Sequence, residues 1–482
     1  MNLRLDIIGP ELLLGVIGII VLIADLCVRR GDRGVLTPLV ALVGLVGCFA
    51  YDVTLMAQGA QSGFADSISS DPFGAFFRVL FCLVTVIVIL TGVDYFRRLP
   101  SGQGEVYALL VFATMAMSLL AISSDLIMIY LSMEFVSITG YVLAGYLKSD
   151  RRSNEAALKY FLFGAVCSAM MLYGMTLLYG ATGETAIRAI APRLAAAPVP
   201  VALLGLAMIL IGFGFKISMV PFHAWAPDVY EGAPTPFAAF FSAGPKLAGF
   251  AVLVRVLQTG FPGVLHVKWV HLIAVFAAAT MTVGNVGALR QTNIKRMLAY
   301  SSIAQAGYML IGVAAFATAG VGLAPLLYYA LAYVVMNLGA FGVAIIVELN
   351  VGSAEIPRWA GLSRRGPVLA LVMAVFLLSL AGIPPTAGFF GKLYLFLAAI
   401  GSPNLWWLAV VGVANAVVSL YYYANVIRTM YFVEAADDSP VEVRLPAAVG
   451  VGACLALTLL MAILAMPFLD LINASQHILS IP

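Results

Sequence analysis

Four ionisable residues lie deep inside long apolar runs of this 482-residue sequence: Glu134, Lys216, Lys246 and Lys392. A charge at the centre of a membrane helix costs about 2.5–3.5 kcal/mol on insertion scales. Such groups pair with one another or line a hydrated path, and three lysines cannot all be neutralised by one glutamate. Loss of hydration disfavours an ammonium and a nearby carboxylate favours it, so a buried Glu–Lys pair can exchange protons near neutral pH as a coupled unit. Changing an ammonium's proton affinity a thousandfold is worth about 4 kcal/mol. Moving one proton against about 180 mV costs the same. The pair therefore has the energy scale of a proton pump.

Two of the lysines stand beside helix breakers. GFGFKISMVPFH (212–223) puts Pro221 five residues after Lys216, and LSLAGIPPTAGFFGKLYLF (378–396) puts Pro384 and Pro385 before Lys392. Proline removes a backbone donor and frees carbonyls, and irregular backbone at membrane depth is tolerated where it is buried or lines water. Each break also reads as a plain packing kink. His223 follows Pro221 and reads equally as a cap or as a proton relay at the mouth of a lysine path. In span 10 the segment AYSSIAQAGY (299–308) offers Ser301, Ser302, Gln305 and Tyr308, either to order water between Lys246 and Lys392 or to bond neighbouring helices.

The elements that must position these groups are membrane helices. The chain is 62% hydrophobic and 10% charged, where soluble domains carry about 25% charge. A net charge of +3 without a basic, aromatic-interleaved patch excludes nucleic acid as a partner. Cys27, Cys48, Cys82, Cys167 and Cys454 are scattered through apolar runs and read as small buried hydrophobes, neither disulfides nor metal ligands. Spans of about 20 apolar residues number fourteen: 11–28, 35–57, 73–93, 105–122, 125–147, 155–181, 200–223, 234–258, 270–289, 294–315, 323–348, 368–398, 405–427 and 446–469. The first is expected to be a span and not a cleaved signal, having no basic leader or small-residue cleavage site.

Positive charge alternates across these spans. Connections following odd-numbered spans hold sixteen basic residues, and the opposite side holds Arg4, Arg188, Arg193 and Lys268. The positive-inside rule makes the richer side cytoplasmic and puts both termini on the far side. Arg78 and Arg255 lie near span ends and are expected to snorkel to the interface, while Lys159 is open between that and a functional role. Asp25 is expected to pair with Arg29, four residues on. Spans 4–8 and 9–13 form a candidate repeat of five helices, each with a broken, lysine-bearing fourth member. An odd repeat length inverts the second copy. The expected segments are 1–104, 105–260, 261–432 and 433–482. GFGFKI lacks the third glycine of a dinucleotide site and follows no strand, GFFGKL lacks both ends of a phosphate loop, and the sequon at Asn473 stands alone.

PFHAWAPDVYEGAPTP (221–236), SAGPKLAGF (242–250), KRMLAYSSIAQAGY (295–308) and LAGIPPTAGFFGKLYLF (380–396) together resemble the subunit N family of bacterial respiratory complex I. VYEGAPTP favours subunit N over its M and L relatives, and the ending soon after span 14, without a long lateral helix, argues against L. The resemblance implies an all-α polytopic fold of fourteen helices with two inverted five-helix blocks. It implies that Glu134 and Lys216 form the charge pair, that Lys246 is the central relay, that Lys392 passes protons outward and that Lys159 serves the cytoplasmic intake. It further implies a bacterial inner membrane and partners among the membrane-arm subunits, the M- and K-type neighbours. NADH, FMN, iron–sulfur clusters and quinone belong to other subunits, and no cofactor or metal site is legible in this chain. One departure stands out: Gln305 occupies a position where the family often has histidine, and glutamine cannot carry a proton. A cation/proton antiporter subunit and a non-pumping scaffold are the rival readings.

Overall fold

The computed structural model describes residues 4–27, 33–56, 59–99, 103–194, 198–261, 264–435 and 439–476. Arg29, Arg30 and His477, and the side chains of Arg33, His266 and Lys268, lie outside the described residues. The chain is helical apart from one small antiparallel hairpin, β1 (Gln61–Gly63) with β2 (Ile68–Ser70).

The spanning helices follow the apolar runs. They are α1 (Gly9–Cys27), α2 (Arg33–Met56), α3 (Pro72–Phe96), α4 (Gln103–Ile122), α5 (Leu126–Ala144), α6 (Arg151–Thr182), α8 (Val199–Ile217), α10 (Thr235–Gly260), α11 (Val264–Ala288), α12 (Ile294–Ala319), α13 (Leu323–Val351), α17 (Trp406–Phe432) and α18 (Leu445–Ile463). These are 13 helices of spanning length and composition. The remaining expected span, the twelfth (368–398), is divided into α15 (Pro367–Ala381) and α16 (Ala387–Ile400), each too short to cross alone. The described residues also include the short helices α7 (Ile187–Leu194), α9 (Trp225–Gly232), α14 (Leu362–Arg365) and α19 (Ala465–Asn473) and two 3-10 turns, Ile356–Trp359 and Ala474–Gln476.

Helix ends follow the local chemistry. Asp71, Asp125, Asp150, Asn293 and Thr386 cap helix N-termini with side-chain oxygens that accept from the first free backbone N–H groups. Gly183, Gly320, Gly352 and Gly382 close C-termini in the left-handed conformation that costs glycine nothing. Both expected helix breaks are present. α8 stops at Ser218, itself left-handed at φ 59°, and Pro221 and His223 fall in the turn before α9. α15 stops at Gly382, and Pro384 and Pro385 fill the gap before α16.

One core runs through all four expected segments. α10 and α13 are buried nearly all round, whereas α1, α2, α6, α17 and α18 expose Leu, Ile, Val and Phe along one face. That distribution suits helices wetted by lipid outside and packed on helices inside.

The connections sort by parity. Those after even-numbered spans bond one another: Ile68 bridges Ser123, Leu126 N donates to Thr185 O, and Ile187 N donates to Ser124 O. Those after odd-numbered spans do likewise. Asn293 bridges Glu355, Arg98 donates to Leu349 O, Val441 N donates to Arg365 O, and Lys295 donates to Ala233 O. Strict alternation over fourteen crossings produces this sorting. One kind of joint occurs twice. Asp125 caps α5 and bridges Ala186, and Asn293 caps α12 and bridges Glu355, on opposite faces.

Two expectations are corrected. Arg78 and Arg255 do not snorkel; both are buried and paired. Arg255 holds Asp71 through two bonds of 2.7 and 2.9 Å and donates to Ala121 O, joining α10 to the start of α3. Arg78 holds Glu11 of α1 through two bonds of 2.8 Å. Proximity to a span end gives a side chain's depth but not the face it points to, and both arginines face inward. For the Asp25–Arg29 pair, Arg29 lies outside the described residues, and Asp25 accepts from Gly104 N at 3.2 Å.

Breaking a buried pair costs about 3–5 kcal/mol, whereas replacing both members with apolar groups is often neutral. Arg255→Ala should therefore strongly deplete the subunit from membranes, and Arg255→Met with Asp71→Asn, which keeps the α3 cap, should restore much of it. Immunoblots of purified membranes check this, and a wild-type level in Arg255→Ala would contradict the pairing.

Candidate functional site

Three buried lysines lie along the middle of the bundle, each held by a different kind of acceptor. Lys216, at the end of α8, donates to Ser137 Oγ of α5 at 2.8 Å. Its aliphatic stem passes over Gly249 of α10, where an added Cβ would fall 3.1 Å from Lys216 Cγ and 2.7 Å from Ile217 Cγ2. Lys246, in the middle of α10, donates to both the carbonyl and the hydroxyl oxygen of Ser302 in α12. Lys392, in α16, donates to Leu380 O and Ala381 O at 2.9 Å each and sits 4.4 Å from the centre of the Tyr308 ring.

The last contact explains the second helix break. The end of α15 leaves carbonyls without helical partners, and the Lys392 ammonium takes two of them. The first break is closed differently. Trp225 Nε1, in α9, reaches back to Phe215 O at 3.1 Å, Val220 N donates to Thr280 Oγ1 at 3.1 Å, and the Trp225 ring stacks on Tyr160 at 4.4 Å.

Glu134 and Lys216, the charge pair that the resemblance implies, are not in direct contact. Glu134 and Lys216 make no ion pair within 4.0 Å; the Glu134 carboxylate accepts from Ser168 of α6, and Lys216 bonds Ser137, one turn along α5 from Glu134. The glutamate remains close enough to act on the lysine electrostatically. Both groups have hydroxyl partners of their own, so neither needs direct contact with the other.

The span 10 segment is the bridge between Lys246 and Lys392. Ser302 holds Lys246, and Ser301 shares a 2.5 Å hydrogen bond with Tyr423 of α17. Gln305 donates to Tyr423 Oη at 3.3 Å and to Leu380 O at 3.1 Å, the carbonyl that also accepts from Lys392. Tyr329 donates to Gln305 Oε1. Gln305 and Lys392 thus meet on one oxygen atom, and the amide stands directly in the line between the lysines.

Lys159 is not part of this buried line. It lies on the face of the odd-numbered connections, paired with Glu155 at 2.8 Å and with Asp228 of α9 at 2.6 Å. Arg296 of α12 completes the network, bonding Asp228 at 2.7 Å and Glu231 at 2.8 Å. These groups line a cavity of about 320 Å3 that shares Arg152, Glu231 and Gly232 with a second of about 360 Å3, lined also by Asp150, Lys295 and Glu348. Burial would raise the Asp228 carboxyl, but hydrogen bonds from Lys159 and Arg296 outweigh it and hold the group below its ordinary value. His223, in the turn after α8, is partly buried, leaves Nδ1 without a hydrogen-bond partner, and is held below its ordinary value by that burial.

A sequence profile described as NADH:quinone oxidoreductase/Mrp antiporter, TM, matches residues 123–419, which contain Glu134, Lys216, Lys246 and Lys392. The chain belongs to that family. It is 45% identical, over 89% of its length and 88% of the relative's, to the NADH-quinone oxidoreductase subunit N of Trichlorobacter lovleyi. Among solved structures it is similar to a chain of respiratory complex I from Thermus thermophilus, at a TM-score of 0.81 and 31% identity, covering 96% of this chain and 99% of that one. A chain of the Mrp complex from a Dietzia species shares the fold at a TM-score of 0.86 and 20% identity, covering 98% and 97%.

Several members of the site were invisible before folding. Ser137, Ser168, Tyr329 and Tyr423 are ordinary residues of apolar helices, and the carbonyls of Leu380 and Ala381 carry no side-chain signal at all. Asp228 and Glu231 stood in the quoted stretch PFHAWAPDVYEGAPTP, where Arg296 and Lys159, 65 to 69 residues away, could not be seen to meet them.

Because the Asp228 carboxyl is held below its ordinary 3.8, its ion pairs contribute stability above that pH and lose it as pH falls through the lowered value. The groups are partly exposed, so the contribution is about 1 kcal/mol. Asp228→Asn should lower the melting temperature at pH 7, and the gap from wild type should close under acid. Thermal unfolding of the purified complex across pH checks it; a gap that widens on acidification would contradict the assignment.

Proposed function

We propose that this chain is a proton-translocating membrane subunit of an NADH–quinone oxidoreductase, moving protons from cytoplasm to periplasm while redox chemistry proceeds in other subunits. The observation that carries the reading is a series of buried polar groups in an otherwise apolar bundle: Glu134 with Ser168, Lys216 with Ser137, Lys246 with Ser302, and Ser301, Tyr423 and Gln305 bonded through to Leu380 O and Lys392. Its membership of the family and the printed names of its relatives support the same reading.

In this scheme the Lys159, Asp228, Glu231 and Arg296 cavity is the cytoplasmic mouth, with His223 at its inner edge. Lys216 exchanges its proton under the field of Glu134, Lys246 is the central relay, and Lys392 releases outward. Gln305 holds its neighbours in place, and protons pass it by the tyrosine hydroxyls or by water. The breaks at Pro221 and at Pro384–Pro385 give the line flexible, carbonyl-bearing joints. The sixteen-to-four distribution of basic residues supports placing the odd-numbered connections in the cytoplasm and the termini in the periplasm. The matching joints at Asp125 and Asn293 support reading 105–260 and 261–432 as inverted repeats, with 1–104 and 433–482 flanking them. The lipid-facing helices and the family support a place in the membrane arm, beside subunits of the M and K types. NADH, FMN, iron–sulfur clusters and quinone are assigned to other subunits of the complex.

The test is Lys216→Ala, with Glu134→Ala beside it, in inverted membrane vesicles at matched protein level. NADH-driven proton uptake and NADH–quinone activity should fall together to a small fraction of wild type. Unchanged uptake in both would remove the assigned path. Sodium sensitivity with intact NADH oxidation would point to an antiporter subunit, and normal pumping in an assembled complex lacking all four deep charges would point to a scaffold.

A further inference from the structure

Beside the Arg255–Asp71 pair, the line of lysines leaves a second buried charged cluster unused among the described residues. Glu11 of α1, Asp52 of α2 and Arg78 of α3 come together in the N-terminal three-helix segment, 3%, 1% and 0% exposed. The cluster lies near the ends of these helices that face the β1–β2 hairpin, beneath Ile7, which packs with Ile68 and Ile122.

The bonding is unequal. Arg78 gives Nε and Nη2 to the two oxygens of Glu11, at 2.8 Å each, and Nη2 also donates to Ile7 O at 2.9 Å. Asp52 Oδ1 lies 4.0 Å from Arg78 Nε, and neither Asp52 oxygen has a hydrogen-bond partner; Arg78 Nη1 has none either. Two carboxyl groups therefore share one guanidinium, and the guanidinium is committed to Glu11. The other titratable groups facing Asp52 are the thiols of Cys48 on α2 and Cys82 on α3, and neither supplies positive charge. α4 also packs on these helices, but its Glu105 and Tyr107 lie at its opposite end. Two further acids lie at this end: Asp71, held by Arg255, and Asp6, paired with Arg4. A buried carboxylate that no donor bonds, and whose one cation is already committed to a second carboxylate, is a costly state, and the neutral acid is far cheaper.

We propose that Glu11, Asp52 and Arg78 form a buried proton-binding site, in which Arg78 neutralises one carboxylate and the second carboxyl, Asp52 in the arrangement seen, holds a proton. The ligand is a proton, and the site stands apart from the residues assigned to translocation, so its test is independent of pumping.

A cycle of isosteric variants in the intact complex tests it. Asp52→Asn replaces a neutral acid with a neutral amide and should assemble at the wild-type level. Glu11→Gln should also assemble, because Asp52 then gives up its proton and becomes the anion for Arg78. The double variant leaves Arg78 without any anion and should reduce assembled complex about tenfold or more. The infrared difference between wild type and Asp52→Asn at neutral pH should contain the C=O stretch of a neutral carboxylic acid, and in the Glu11→Gln background the same Asp52→Asn difference should show carboxylate bands instead. Loss of assembly in either single variant, a double variant that assembles as wild type, or carboxylate bands for Asp52 in the wild-type background would each overturn the proposal.

Discussion

No water competes for hydrogen bonds inside a bilayer, so every charge and every freed backbone carbonyl at that depth must find its partner within the protein. This constraint organises the whole molecule. α15 ends at Gly382 and leaves carbonyls without donors; Lys392 enters the bundle as an ammonium without a counterion. Each would be costly alone. Together, with Leu380 O and Ala381 O accepting at 2.9 Å, they satisfy each other. A charge-assisted hydrogen bond contributes about 1.5–3 kcal/mol, so two offset the roughly 2.5–3.5 kcal/mol needed to place a lysine at a helix centre. Break and lysine are one device, and neither is stable without the other.

The three lysines are held unequally along the bundle. Lys392 and Lys246 each have two oxygen acceptors, while Lys216 has a single serine hydroxyl and a glutamate one turn away. Lys216 is thus the ammonium least well solvated by the protein and the one most exposed to the charge state of a neighbour. A relay needs one member whose occupancy responds to a distant event while the others hold proton-accepting geometry. The asymmetry of acceptors provides that difference without any change of residue type.

The spans, their alternation and the deep lysines were legible because composition and charge report them directly. Apolar runs set where helices cross, and parity of the connections follows from counting them. Pro221 and Pro384–Pro385 marked the breaks for the same local reason. The partners were not legible. Ser137 is 79 residues from Lys216, Ser302 is 56 from Lys246, and Asp71 is 184 from Arg255. Backbone carbonyls leave no mark in sequence. Arg78 and Arg255 show the limit most plainly: depth alone suggested snorkelling, but the acids that hold them sit on other helices, and only packing reveals which face each arginine presents. Glu134 and Lys216 show the same limit, since the sequence left open whether they touch, and each is held by a serine of its own.

Gln305 joins these observations. An imidazole at that position would carry protons between the two halves; an amide can only donate and accept in fixed directions. Here it donates to Tyr423 Oη and Leu380 O and accepts from Tyr329, so all three bonds orient other groups. Leu380 O, receiving both the amide and the Lys392 ammonium, is the point at which the two halves touch. If the proposed line conducts, its Lys246-to-Lys392 step passes through hydroxyls held by an amide, and the gating element is the geometry around that one carbonyl, not the titration of a side chain beside it.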